Sequence, residues 1–416
     1  GFRRLLRFVV AAVLIWGELP AVSVYAETQI APWGSVRERY DSNVWRRPKE
    51  LLRDAQGNAP QLYDFVTTVR GGLALRHEGR DIEADLKVGG DYNKFVYNTG
   101  LDFYAAALTG TVGLDRWVDQ YVRGAKLSIA QNLFYSPEQS FSRSTGSEDF
   151  ESGLLTFRRS RLLNTTAFHG SYPLSRDISL EGGYIFGLRR LTSRTEGGDV
   201  AGATFFNSMT HTWQGGPRYN LTKNDSVAAL YRQTFFTQER AEGGRTFNTN
   251  IITLEGDYTK VFPEWTFTAR GGVTFVEPTG RSLPSGSIRV TTKPERDTVL
   301  GLMLSREARP SFFLQGGARI AHIAKATISH RVYERLSVVG SGQYTLSQFF
   351  PNTGSQYQFF VGTSRLEYML TRNIRGEVFY SYQHINSDTT SLDYQVSRHQ
   401  VGFMLSVMLE SLGEAI

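Results

Sequence analysis

Residues 82–92 read IEADLKVGGDY, and this stretch decides the fold of the chain. Its even positions, from Ile82 to Tyr92, are apolar or glycine, whereas its odd positions are charged or glycine. Successive side chains of a β-strand point to opposite faces, so the stretch predicts a strand with one apolar and one charged face. Such a strand suits a wall with lipid on one side and water on the other.

The same alternation returns along the chain. The ranges that carry it most clearly are 178–189, 252–259, 265–275 and 398–409. The joining segments alternate between short turns, several of them with Asn, Asp, Gly or Pro, and longer polar stretches. Short turns at the periplasmic rim and long loops on the outside are typical of a β-barrel in an outer membrane.

The joining segments set the number of strands. Short turns are predicted near residues 78–80, 118–120, 175–177, 222–225, 262–264, 294–296, 333–334 and 371–373. Longer loops are predicted near residues 46–60, 97–102, 135–152, 190–203, 239–246, 277–285, 307–317, 348–355 and 386–393. This pattern predicts an all-β fold, a transmembrane antiparallel up-and-down β-barrel of about eighteen strands, with sixteen as the next best number.

The beginning of the chain is typical of an export signal. Basic residues precede the apolar run at 8–16, and the sequence at 24–26 fits a cleavage site. A membrane anchor is the alternative, although the run is short for a span. The predicted organisation is a signal peptide at residues 1–26 and a single outer-membrane barrel at residues 27–416. Few residues separate the two, so no plug domain is expected.

Composition narrows the partners. The chain has 416 residues, a formal net charge of +6 and no cysteine, which excludes disulfides and thiolate metal sites. Basic residues alternate with apolar ones instead of forming a patch, so nucleic acid is not an expected partner. A soluble propeller is the competing all-β fold, but the chain shows no blade-length repeat.

The alternation also predicts what lines the lumen. An eighteen-stranded barrel is too wide for its own side chains to fill, so permeation is the expected function. The basic candidates for the inward face are Arg37, Arg39, Arg70, Lys87, Lys126, Arg232, Arg270, Arg289, Lys293, Lys325, Arg365, Arg375 and Arg398. The acidic candidates are Glu83, Asp85, Asp91, Glu181, Glu255, Asp257, Glu367 and Glu377.

Two interpretations of these charges stay open. They either compensate one another in a wet interior or, through their basic excess, favour anionic solutes, as rings of Arg and Lys do. The acidic candidates gather in the third, seventh and tenth strands and many basic ones in later strands, which predicts a field across the lumen.

An enzymatic function is not expected. The histidines are scattered, and His322 and His330 lie about 26 Å apart at the usual strand rise. No G-x-S-x-G or H-E-x-x-H motif is present. No catalytic residue, metal site or cofactor is therefore predicted.

Three short stretches carry a family resemblance. Residues 35–44, SVRERYDSNV, resemble the opening strand of the putative β-barrel porin 2 family, which typically begins with an R-Y-D-x-N-like element. Residues 292–298, and residues 329–336 followed by Tyr344, are also similar to that family. The resemblance implies an outer-membrane protein linked with exopolysaccharide production and export, and it assigns no ligand residue.

The main functional hypothesis is an outer-membrane channel for export or passage of an anionic or carbohydrate polymer, such as an exopolysaccharide. A general diffusion porin for small solutes and a non-conducting surface-binding barrel are the alternatives. The expected partners are outer-membrane lipid and lipopolysaccharide, together with anionic polysaccharide and periplasmic export components. The oligomeric state stays open.

Overall fold

The structure is a computed structural model. It describes residues 27–46, 52, 59–136, 160–193, 206–240, 246–277, 279–295, 297–311, 317–350, 356–388 and 394–409. The predicted signal peptide and most of the predicted loops at 135–152 and 190–203 lie outside these residues. No helix among the described residues is both long and apolar enough to cross a membrane.

Eighteen long strands make up almost all of the described chain. They are β1 Glu27–Asp41, β2 Asp64–Glu78, β3 Glu83–Phe95, β4 Phe103–Gly113, β5 Lys126–Ser136, β6 Ser160–Pro173, β7 Ile178–Ser193, β8 Phe206–Asn220, β9 Asp225–Arg240, β10 Thr246–Val261, β11 Trp265–Glu277, β12 Arg281–Glu295, β13 Thr298–Pro310, β14 Ala318–Tyr333, β15 Leu336–Phe350, β16 Gln356–Met369, β17 Ile374–Asp388 and β18 Tyr394–Met408. The described chain also contains a short helix, α1 Asp115–Asp119, and one turn of 3₁₀ helix at Thr99–Leu101.

The strands form one closed sheet. Each pairs antiparallel with the next along the chain, and β18 returns to pair with β1 from Trp33–Met408 to Asp41–Gln400. This up-and-down barrel confirms the predicted fold, with eighteen strands and not sixteen. Closure is physically required, because only a closed sheet provides a hydrogen-bond partner for the backbone groups of every strand inside hydrocarbon.

Apolar side chains cover the outside of the barrel. Leu73, Leu254 and Phe403 are 48%, 50% and 55% exposed, and they lie at alternate positions from the charged residues of their strands. In a water-soluble protein such side chains would be buried, but here their exposure matches the lipid-facing band of a membrane barrel.

The connections at the two rims differ in length. One rim carries the turns at 79–82, 174–177, 221–224 and 262–264, and the other carries the long segments at 42–63, 137–159 and 194–205. The rim with the long segments is therefore the extracellular one.

Two predicted connections were wrong. The short turn expected at 118–120 lies in a longer segment, 114–125, which contains α1. The long loop expected at 277–285 is short, because β12 already begins at Arg281. Pro284 is characteristic of loops, but here it pairs only with Val273 of β11, and the pairing of β12 with β13 starts at Gly286. Pro284 therefore lies at a locally unpaired edge, where the missing N–H costs nothing.

A buried ion pair joins the first and last strands. Arg398 of β18 donates to Asp41 of β1 from Nε at 2.8 Å and from Nη2, and Gln400 Nε2 donates to the same carboxylate at 2.8 Å. The Asp41 and Arg398 side chains are 0% and 3% exposed. The R-Y-D-x-N-like element thus supplies the carboxylate that closes the barrel, and Asn43 N donates to it as well, at 3.1 Å.

Arg398→Gln should lower the free energy of unfolding by about 3 kcal/mol or more, because Asp41 would stay buried without its hydrogen-bonded cation and would keep only Arg39, at 4.0 Å. Urea titration of the barrel in lipid vesicles measures the change. The matched control is Arg76→Gln, whose 2.6 Å pair with Glu78 is 67% and 55% exposed. The control should lose less than about 1 kcal/mol. Equal losses in the two variants would contradict a special role for this closure.

Candidate pore lining

The strand register determines which side chains face the lumen. Paired residues point to the same side of a sheet, and Ser35 pairs with Arg70, Arg70 with Asp91 and Asp91 with Ala105. Followed around the barrel, this rule places the predicted lining residues on the inward side. Lys293 differs slightly, because it lies beyond the last regular pair of β12, at the periplasmic rim. Whether these residues act on a solute remains a prediction.

A cavity of about 610 Å³ occupies the lumen beside β1–β5 and β12–β18. We call it the arginine cavity. Of the described residues that line it, ten are basic and two are acidic. The predicted residues among them are Arg37, Arg39, Arg70, Asp91, Arg289, Lys325, Arg365, Arg375, Glu377 and Arg398. Arg46 and Arg309 line it too, although the alternation did not indicate them.

Individual cations of this cavity also have fewer than one carboxylate each within ion-pair distance. Arg365 and Arg375 share Glu367, at 3.6 and 3.5 Å. Arg37 makes no ion pair within the described chain, and its guanidinium carbon lies 4.8 Å from the centre of the Phe379 ring. One carboxylate between two guanidinium groups leaves positive charge available to a ligand.

The other arc of the wall neutralises its own charges. Arg218 of β8 donates to both oxygens of Glu181, at 2.6 and 3.2 Å, and lies 3.5 Å from Asp257. Asp257 also accepts from Arg270 Nε, at 2.7 Å. These four residues form a chain of alternating charge across β7–β11, so the predicted acidic residues of this arc present little free negative charge.

Glu255 on the same arc accepts from Arg232 Nη2, at 2.6 Å. Of the other predicted residues outside the arginine cavity, Glu83 lies 3.3 Å from Arg116, next to α1. Lys87 has its ammonium 4.4 Å from the centre of the inward-facing Trp33 ring. Asp85 and Lys126 have exposed side chains toward the periplasmic ends of β3 and β5.

We call this charge-compensated part of the wall, β7–β11, the neutral arc. The sequence pattern did not identify Arg218, its central residue, as a lining residue. Arg218 follows Gly215, Gly216 and Pro217, a run that resembles a turn and not a strand. Continuing the alternation of β8 from Thr212 through Gln214 would have placed Arg218 on the inward side.

The extracellular half of the lumen is narrowed from within. Gln238 of β9 donates to the carbonyl of Ser311, which follows β13, at 2.9 Å. Because β9 and β13 are not neighbours in the sheet, the end of β13 must lie across the inner wall of β9. Arg319 is also fully buried there and donates to Ser347 Oγ at 3.3 Å and to the Tyr357 hydroxyl.

A closed eighteen-stranded barrel with an apolar outside and a charged inside defines the class of outer-membrane porins and channels. The family described as putative beta-barrel porin 2 matches residues 286–407, from β12 to β18. This match confirms the predicted family resemblance, and two of the three stretches that suggested it lie within the matched range. The protein is located in the cell outer membrane.

Several solved structures match most of the chain at low sequence identity. OpdQ from Pseudomonas aeruginosa is 9% identical, with 93% of this chain and 98% of that chain covered and a TM-score of 0.43. OccK2 (OpdF) from the same organism is 10% identical, with 93% and 98% covered and a TM-score of 0.44. A mutant of the ferric enterobactin receptor PfeA, also from that organism, is 6% identical, with 93% and 81% covered and a TM-score of 0.46. No curated protein matches the chain.

Arg218→Gln should shift the ion selectivity of the barrel toward cations, because Glu181 would lose its partner and Asp257 would keep only Arg270. The reversal potential across a planar bilayer in a KCl gradient measures the shift. Arg372→Gln removes the same charge from an exposed periplasmic turn and should change the potential little. An unchanged potential in Arg218→Gln would contradict the charge neutralisation of this arc.

Proposed function

We propose that this barrel is an outer-membrane channel for an anionic carbohydrate polymer, of the kind that cells export as exopolysaccharide. The observation that supports the proposal best is the arginine cavity, with its ten basic and two acidic lining residues. Guanidinium groups bind carboxylate and phosphate through two parallel hydrogen bonds, so an arginine-rich wall suits sugar acids and phosphorylated sugars.

The arrangement of the charges favours a polymer over a single small anion. Arg37 and Arg39 project from the same face of β1, about 7 Å apart at the usual strand rise. Arg365 and Arg375 lie on β16 and β17, which precede β1 around the barrel, and Arg70 lies on β2, which follows β1. A chain with repeated anionic groups can contact several of these cations at once, and such multivalent binding strengthens a weak individual contact.

The neutral arc complements this wall. Because the Glu181–Arg218–Asp257–Arg270 chain satisfies its own charges, it offers a polyanion neither strong attraction nor strong repulsion. An anionic polymer moving through the lumen would therefore bind at the arginine cavity and would not bind to the opposite wall. The family resemblance, with its link to exopolysaccharide export, supports the same class of solute.

Planar-bilayer recording with polygalacturonate as the blocking polymer tests the proposal. The wild-type channel should conduct, and polygalacturonate should block the current, whereas uncharged dextran of equal length should not. Arg37→Gln and Arg365→Gln should each raise the half-blocking concentration about three- to tenfold, as expected for the loss of one charge-assisted contact.

Arg270→Gln is the matched control for the blocking experiment. Arg270 is also an inward-facing arginine, but it is paired with Asp257 and lies outside the arginine cavity. Its substitution should change the half-blocking concentration less than either cavity variant. A current without block would indicate a general diffusion porin, an absence of current would indicate a non-conducting surface barrel, and either result would contradict the proposal.

A further inference from the structure

A groove runs along the outer wall of the barrel over β12–β15. It consists of two adjoining cavities of about 540 and 460 Å³. Ile288, Leu302 and Leu304 line it with side chains that are 47%, 49% and 47% exposed. They alternate with Arg289 and Met303, which line the arginine cavity, so the groove faces the lipid and not the lumen.

Small residues form the floor of this lipid-facing groove. Ala324 and Ala326 of β14 lie between the larger residues of β13 and the glycines of β15, Gly340 and Gly342. A Cβ atom built on Gly342 would have no atom within 4 Å, so the space beside it is open. The trough extends along β14 from His322 to Ile328, about 20 Å at the usual rise, which suits an extended acyl chain.

One end of the groove carries positive charge. Arg306 of β13 and His322 of β14 are cross-strand partners on the outward face. Arg306 forms no hydrogen bond or ion pair within the described chain, and its Nε atom is buried. The described residues that line this end include no carboxylate. A lipid-facing arginine destabilises a barrel, most strongly at the bilayer midplane and less near the surface, so an anionic ligand beside Arg306 would offset that cost.

The position of Arg306 indicates the leaflet. The strand β13 begins at the periplasmic rim with Thr298 and ends at Pro310, and Arg306 lies in its last third. The charged end of the groove is therefore in the extracellular half of the membrane, and the apolar trough extends from it toward the midplane. Tyr344, 41% exposed, lies beside the charged end and offers a hydroxyl donor.

We infer that this groove is a binding site for lipid A, the phosphorylated and acylated anchor of lipopolysaccharide. A phosphate group contacts Arg306 and His322, and one acyl chain lies along the trough over Ala324, Ala326 and Gly342. The charge fits a phosphate, the trough fits a chain, and the extracellular position fits a lipid of the outer leaflet. By strand register, the side chains that form this site point away from the lumen, and the inference does not depend on the function proposed for the lumen.

Native mass spectrometry of the detergent-solubilised barrel, titrated with purified lipid A, tests the inference. Arg306→Gln and Gly342→Leu should each weaken binding about tenfold, the first by removing a charge-assisted contact and the second by filling the trough. Lipid A without its phosphates should bind the wild-type barrel about as weakly as intact lipid A binds Arg306→Gln.

Two matched controls complete the experiment. Arg372→Gln removes an arginine from the periplasmic rim, and Gly182→Leu adds the same side chain to the outward face of β7, where the nearest atom to a new Cβ is 4.0 Å away. Both controls should bind lipid A like the wild type, and all four variants should keep the wild-type conductance, which shows that the barrel is folded.

Three results would overturn the inference. The first is unchanged binding in both groove variants, and the second is equal affinity for lipid A with and without phosphate. The third is a barrel dimer that Gly342→Leu disrupts while lipid A binding stays unchanged, since the groove would then be an interface between two copies of the chain.

Discussion

Closure of the sheet is the constraint on which the rest of this structure depends. Inside hydrocarbon no water is available to the backbone, so each N–H and C=O of a strand must bond to a neighbouring strand. An open edge at β1 or β18 would leave a full row of these groups unsatisfied. The barrel avoids this by pairing β1 with β18, and it strengthens the extracellular part of that pairing with the buried Asp41–Arg398 ion pair.

Closure also divides the side chains between two solvents. Once the last strand pairs in register with the first, the alternation of every strand must agree with that of all the others, and the inward face becomes one continuous surface. On that surface the positive charge is not uniform. One arc pairs its acids and bases through Arg218, and the other retains the arginine excess that we propose as the binding surface for a polyanion.

The outer surface is equally uneven. Most of it is the apolar band that any membrane barrel needs, but β12–β15 interrupt the band with small residues and with Arg306. The same arginine chemistry thus occurs on both sides of the wall, toward water at Arg365 and toward lipid at Arg306. Arg365 shares the single carboxylate of Glu367 with Arg375, whereas Arg306 has no carboxylate within the described chain, so on either side an anion from outside the protein can add to the compensation of a guanidinium.

Much of this could be predicted from the sequence, because a strand between lipid and water must alternate. The period of two placed Glu255 and Arg365 on the inward side without any knowledge of their neighbours. It failed where the local signal was ambiguous. The Gly-Gly-Pro run before Arg218 resembles a turn, the segment around Pro284 resembles a loop, and Arg306 lies next to a predicted loop, so its outward orientation went unnoticed.

The sequence by itself determined that the chain forms a membrane barrel of about eighteen strands and, for most strands, which side chains face inward, because these properties follow from the order of residues along each strand. Only the tertiary structure decided which charges meet. Glu181 and Asp257 are far apart in the chain and on different strands, yet they share Arg218, and Asp41 meets Arg398 only because the ends of the barrel join. Such contacts depend on distances across strands, which a one-dimensional pattern does not contain.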